Sequence, residues 1–563
     1  MVTSTMPPRS SCATCRGAPT NLTRLPTSTL LINGRVHSPA MPDATAMAVS
    51  DGPDGVVRWL GTDDVGRAQF PDADVVDLDG GFVAPAFVDS HVHLTATGLS
   101  VVGLDLHAAA SLDDLLRRVT EYARSHPDGL IWGHGWDETD WPTSTPPITK
   151  ELDAVLGGRP AYLARVDVHS AVASTGLRHL VPGLAAASGY DPHRPLTADA
   201  HHLARAAARE LLTSNQLHEA RVAALDLAAR SGIVAVHECA GPEIGGIDDW
   251  HALRTLDHGV EIVGYWGEAV RTADEARALQ AETGVNGLAG DLFIDGALGS
   301  RTAWLHEPYA DAPHTCGNAY LDAEAIDAHL SACTEAGITA GFHVIGDAAV
   351  AAVVDSLDRV ADRFGGPAVA RCGHRLEHLE MVTPEQAGRL GALGVVASVQ
   401  PNFDAAWGGE HGMYAQRLGA DRARMLNPFA LLASQGVPIA FGSDSPVTSM
   451  NPWSTVRAAI RHQTQGSAIS ARAAFGAATR GAWRAGGVRD GVTGTLAPGA
   501  PASYAVWDVP GGREGLEVAA PADTVQRWST DPRSRVPALP QLGADDPLPT
   551  CRQTVLRGVT IHG

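Results

Sequence analysis

The chain has 563 residues, 44% of them hydrophobic and 19% charged, with a net charge of −21. That length allows a large core, and the acidic balance argues against nucleic acid or an anionic membrane as partner. Seven scattered cysteines suggest no disulfide framework, no apolar run is long enough to span a bilayer, and Met1–Thr29 lacks the apolar core of a signal segment, so a cytoplasmic location is expected.

Residues 1–26 mix Ser, Thr, Pro and Arg without periodicity and are expected to lack fixed structure. Short strand patterns follow at Leu30–Ile32, Ala46–Val49, Val56–Leu60 and Val75–Leu78, with Asn33-Gly34 as a hairpin signal. The C-terminal stretch has the same character, in Ser503–Asp508 and Thr554–His562. The two ends, 27–82 and 484–563, are therefore expected to build one small β-sandwich domain.

Between them, strand-like runs alternate with Ala-, Leu- and Arg-rich helical stretches, the pattern of a parallel α/β architecture. Candidate strands lie at 83–91, 232–238, 260–266, 291–295, 338–343, 375–379, 395–400 and 438–444. Eight is the number a (β/α)8 TIM barrel needs, here over residues 83–483. An excess of about 130 residues after the first strand, over about 100–231, reads as an insertion at the barrel mouth with a long helix near 198–231.

The first strand ends in His91-Val92-His93, and alternate residues of a strand share a face, so both imidazoles point to one place. His343, His378 and Asp444 also fall at strand ends. Catalytic groups of such barrels gather at the C-terminal strand ends, so all five can meet at one mouth. Four imidazoles and a carboxylate suit Zn²⁺ best among divalent metals, with iron, manganese or cobalt able to substitute.

With these residues and with Gly135-Trp136-Asp137, Arg165-Val166-Asp167-Val168-His169, Asp295-Gly296-Ala297-Leu298-Gly299-Ser300-Arg301 and Ser398-Val399-Gln400-Pro401, the chain resembles the amidohydrolase superfamily. It is most similar to a large-insert branch like the N-substituted formamide deformylases, from about residue 29 to the C-terminus. The resemblance implies that His91, His93, His343 and His378 are metal ligands and that Asp444 is both ligand and general base. The implied reaction is hydrolysis of a non-peptide carbon–nitrogen bond in a small-molecule substrate, with His378 or His169 helping to polarise the carbonyl. Trp136, Asp137, His169 and Arg301 are candidate substrate-binding residues, and a homodimer is an expectation.

One position departs from that branch. Where it carries a lysine that bridges two metals as a carbamate, this chain has Asp291, several bonds shorter. The expectation is one zinc rather than two, unless Glu238 or Cys239, at the end of the second strand, bridges instead. Alternatives are a deaminase, an ester or lactone hydrolase, or a non-catalytic barrel with a binding role. Gly346 stands where a deaminase of the superfamily would carry a proton-shuttling glutamate.

Overall fold

The computed structural model describes residues 28–517 and 537–563; the tail expected at 1–26 lies outside them. Eight parallel strands make one sheet: β1 (Phe87–Val92), β2 (Ile233–Ala240), β3 (Glu261–Trp266), β4 (Gly287–Leu288), β5 (Thr339–Val344), β6 (Arg375–His378), β7 (Val396–Val399) and β8 (Ile439–Phe441). Neighbours in sequence are neighbours in the sheet, so it curls into a nearly closed barrel. The remaining gap is spanned just beyond β8, where Asp444 N–H donates to His91 C=O at 2.8 Å and His93 N–H to Ser445 C=O at 3.0 Å.

The strands show why alternation is a poor guide here. All eight residues of β2 and all six of β1 are buried, because helices cover one face and the barrel interior fills the other. The covering helices are one-sided: along Asp347–Phe364, Val350, Val353, Val354, Leu357 and Val360 are buried at helical spacing. At the end of the barrel where β1 begins, Phe87 meets Trp453 edge-on at 5.0 Å and Trp507 at 5.8 Å, joining barrel, outer helix and C-terminal strand.

Three expectations need correction. The fourth strand is the two-residue β4, not 291–295. The chain turns through Gly290 at φ +79°, and the following segment rejoins the sheet only through bonds such as Ile294 N–H to His343 C=O at 3.1 Å. The long helix near 198–231 is two helices, Ala198–Glu210 and Ser214–Arg230. Thr213 caps the second, its hydroxyl taking the Gln216 N–H while the Gln216 side chain returns to the Thr213 N–H. Asn33, at φ +54°, makes no hairpin; strand Ser28–Ile32 lies in one sheet and Arg35–Val36 in another.

Those two sheets are a four-stranded one from the N-terminal stretch and a five-stranded one that also takes in Tyr504–Asp508, Thr550–Leu556 and Val559–His562. Leu31, Met47, Val57 and Leu78 share a hydrophobic cluster with Val83, Tyr504, Val506 and Val555. Between β1 and β2 the chain forms a further five-stranded sheet, in which Ile131–Trp136 and Ala161–Arg165 pair in parallel.

Candidate metal centre

His91, His93, His343, His378, Asp444 and Asp291 come together, buried, at the C-terminal ends of the barrel strands. The His91 Nε2 is 3.3 Å from Asp444 Oδ1 and 3.5 Å from Asp291 Oδ1; the His93 Nε2 is 3.3 Å from Asp444 Oδ1 and 3.1 Å from Asp291 Oδ2. On the other side of Asp291, the same Oδ1 is 3.7 Å from His343 Nδ1 and 4.0 Å from His378 Nε2. Asp291 therefore reaches the cluster despite its short side chain. Its backbone lies directly on Gly267, where an added Cβ would stand 2.6 Å from the Asp291 carbonyl.

The local backbone is set for this purpose. His378 and Asp444 have left-handed backbones, φ +69° and +53°, a region that costs a non-glycine residue energy and is tolerated where surrounding structure fixes it. Here the β1–β8 closure bonds hold Asp444 beside His91.

Three imidazoles are fixed from behind. His91 Nδ1–H donates to the Glu377 carboxylate at 2.9 Å, His378 Nδ1–H to Gln400 Oε1 at 2.8 Å, and His343 Nε2–H to the Gly296 carbonyl at 3.3 Å. Each assignment leaves the inner nitrogen as a lone pair. Those nitrogens, with Asp291 Oδ1 and Asp444 Oδ1, are buried and have no hydrogen-bond partner. Lone pairs facing carboxylate oxygens repel unless a cation lies between them.

The donor set fits a metal. Ligands about 2.1 Å from a tetrahedral zinc lie roughly 3.4 Å apart, close to the 3.1–3.5 Å separations among His91, His93, Asp444 and Asp291. The electrostatics agree. Burial opposes a charge on His93, yet Asp291 and Asp444 outweigh it and push the imidazole up to about 9. Burial likewise disfavours the Asp444 carboxylate, but His91 and His93 hold it well below the usual range.

Other predicted residues divide. His169 lies beside the cluster, its ring 5.2 Å from that of His343, and burial holds it neutral. Glu238 is buried nearby, accepts the Leu94 N–H at 2.7 Å and belongs to none of the ligand groups among the described residues. Cys239 Sγ lies 3.4 Å from the rear nitrogen of His91, on the Glu377 side of the ring and in a separate group from Asp291 and Asp444. Trp136 is buried in the inserted sheet and donates to Leu163 C=O; Asp137 pairs with Arg165 at 2.8 Å; Arg301 pairs with Asp311 at 2.6 Å. None of these three lines the two cavities that flank the cluster.

Sequence reading missed Glu377 and Gln400 as supports. The signal for Glu377 is Arg375-Leu376-Glu377, since alternate residues share a face; Arg375 stacks on Tyr265 at 4.2 Å and pairs with Glu377 inside the barrel.

The profile of the amidohydrolase family matches residues 74–562. The chain belongs to that family. This amidohydrolase is 27% identical to the YtcJ protein of Bacillus subtilis, over 72% of this chain and 79% of that one. It is 24% identical to an N-substituted formamide deformylase of Arthrobacter pascens, over 78% and 84% of the two chains. In structure it is similar to a metal-dependent hydrolase from Pyrococcus furiosus, with a TM-score of 0.64, 25% identity and coverage of 85% and 98%.

Proposed function

We propose that this amidohydrolase is a metal-dependent enzyme that hydrolyses a non-peptide carbon–nitrogen bond, of amide or formamide type, in a small molecule. The observation that carries the reading is the convergence of three imidazoles, each hydrogen-bonded from behind, on the Asp291 and Asp444 carboxylates. His91, His93, Asp444 and Asp291 would hold one ion. Asp291, His343 and His378 would hold a second, making Asp291 the shared carboxylate; zinc is the metal the donors favour. Two ions are proposed in place of the single one expected from the missing lysine, because Asp291 lies within 3.7 Å of imidazoles in both halves of the cluster.

A divalent ion at this place supplies Lewis acidity toward a carbonyl and lowers the pKa of water. The protein does the rest. The Asp444 carboxylate takes a proton from the attacking water, and the new carbon–oxygen bond forms as the carbonyl electrons move to oxygen. Asp444 then returns that proton to the leaving nitrogen as the carbon–nitrogen bond breaks. Neutral His169 offers an N–H toward the substrate carbonyl. Gly346 contributes a backbone N–H to Asp295 at 2.8 Å and no acid, which favours hydrolysis over deamination. The terminal sheets, 27–82 and 484–563, are taken as a sandwich domain beside the barrel of 83–483, with the insert over about 100–231 closing the mouth.

The test is release of amine and formate from a panel of N-substituted formamides, supported by Asp444→Asn. That variant should keep its fold and lose about 10²–10⁴-fold in kcat. Undiminished activity would remove Asp444 as the base.

A further inference from the structure

One of the cavities flanking the cluster is lined by His93 and Asp291 and by residues of the helix Ala198–Glu210 of the insert. Its walls near the cluster are apolar, with Phe293 and the Trp132–Tyr162 pair, whose rings are 4.7 Å apart. Its far end is basic, lined by Arg205 and Arg209.

The two arginines are not equivalent. Arg209 binds Asp249 at 3.0 Å, and Asp249 is also held by Arg221 at 2.7 Å and by the Thr95 hydroxyl at 2.9 Å. That carboxylate is fully used. Arg205 makes one hydrogen bond, to the Glu243 carbonyl at 2.5 Å, and among the described residues no carboxylate lies within ion-pair distance of it. The Glu243 side chain turns instead to His202, at 3.3 Å. Glu238, Asp249 and Asp291 also line the cavity, but among the described residues none of them forms an ion pair with Arg205. Burial draws Arg205 below its ordinary range; Tyr162, Glu243 and Asp291 oppose the shift and Arg209 adds to it.

A second group in the same cavity also lacks a partner. The buried His134 lines it, and neither ring nitrogen has a hydrogen-bond partner of ordinary geometry. A partly buried guanidinium with free donors and a buried imidazole without partners of ordinary geometry thus face one cavity and offer a ligand free hydrogen-bonding groups.

We infer that the substrate carries a carboxylate that docks on Arg205, with its scissile carbon–nitrogen bond at the His93–Asp291 end and an apolar body between. The planar fork of the guanidinium suits a carboxylate in bidentate fashion. What is cleaved rests on the hydrolase reading above; what is bound does not.

The test therefore measures binding without turnover. Zinc-loaded full-length protein is titrated calorimetrically with acetate, succinate and phenylacetate, each against its neutral amide. The expected result is that at least one carboxylate binds about ten- to a hundredfold more tightly than its amide. Arg205→Met should abolish that preference with metal content and circular dichroism unchanged, and Arg205→Lys should retain part of it. Equal affinity for every acid and amide would overturn the proposal. So would a preference that survives in Arg205→Met, which would place the carboxylate on the metal instead. Absence of formamide hydrolysis alongside an Arg205-dependent preference would remove the hydrolase reading and leave this one standing.

Discussion

At the scale of single residues, the site is governed by what stands behind three of its four imidazoles. Glu377 both fixes the His91 tautomer and balances Arg375; burial disfavours its charge, but Arg375 and His91 hold it down to about 2, so it is a carboxylate at neutral pH. Glu377→Gln keeps the shape and removes the charge. Metal affinity should fall about 10–100-fold, read by competition with a fluorescent chelator. Unchanged affinity would show that His91 is oriented by something else. Under the proposed function, His91→Ala removes a ligand, and metal binding and activity should disappear together.

At the scale of elements, joints outside the site set stability. Thr213 starts the helix Ser214–Arg230, which packs against Leu94–Val102, the helix directly following His93. Thr213→Ala should cost about 1 kcal/mol, measured by denaturant titration, and leave metal content unaltered. A second joint is Asp404, in the helix Pro401–Trp407, whose carboxylate accepts the Gln463 N–H at 2.7 Å beyond the helix Pro452–Ile460. Burial raises Asp404 from 3.8 to about 6. A carboxyl raised on folding holds a proton that the unfolded chain has released. Its contribution is full below pH 3.8 and is lost as pH rises through about 6. The Tm of Asp404→Asn relative to the parent should therefore climb between pH 4 and pH 6, and a flat difference would contradict the shift.

At the scale of the whole molecule, the barrel was legible because each strand is a short apolar run ending in a polar residue or turn. His91 and His93 were legible because a strand's two-residue period fixes their common direction. Asp291 was not: its reach depends on a backbone seated against Gly267, a contact between segments far apart in sequence. The fourth strand was misplaced for a related reason, since Asp291–Asp295 has a strand-like composition but follows the turn at Gly290. Trp136, Asp137 and Arg301 stand out as motif residues; none lines a cavity itself, although Asp137 accepts the indole N–H of Trp407, which lines the cavity beside His378. Arg205 gave no local signal at all. One arginine in an Ala- and Arg-rich helix looks like any other until its neighbours' carboxylates are seen to be engaged elsewhere.

The measurement that bears most directly on the central claim is metal per chain, by elemental analysis of full-length protein after zinc loading and gel filtration, with Asp291→Ala alongside. About two ions per parent chain are expected, with a loss of at least one in the variant and amide hydrolysis falling in step. One ion per chain in both proteins would contradict Asp291 as the shared ligand, and no bound metal in the parent would contradict the metal-dependent hydrolase itself.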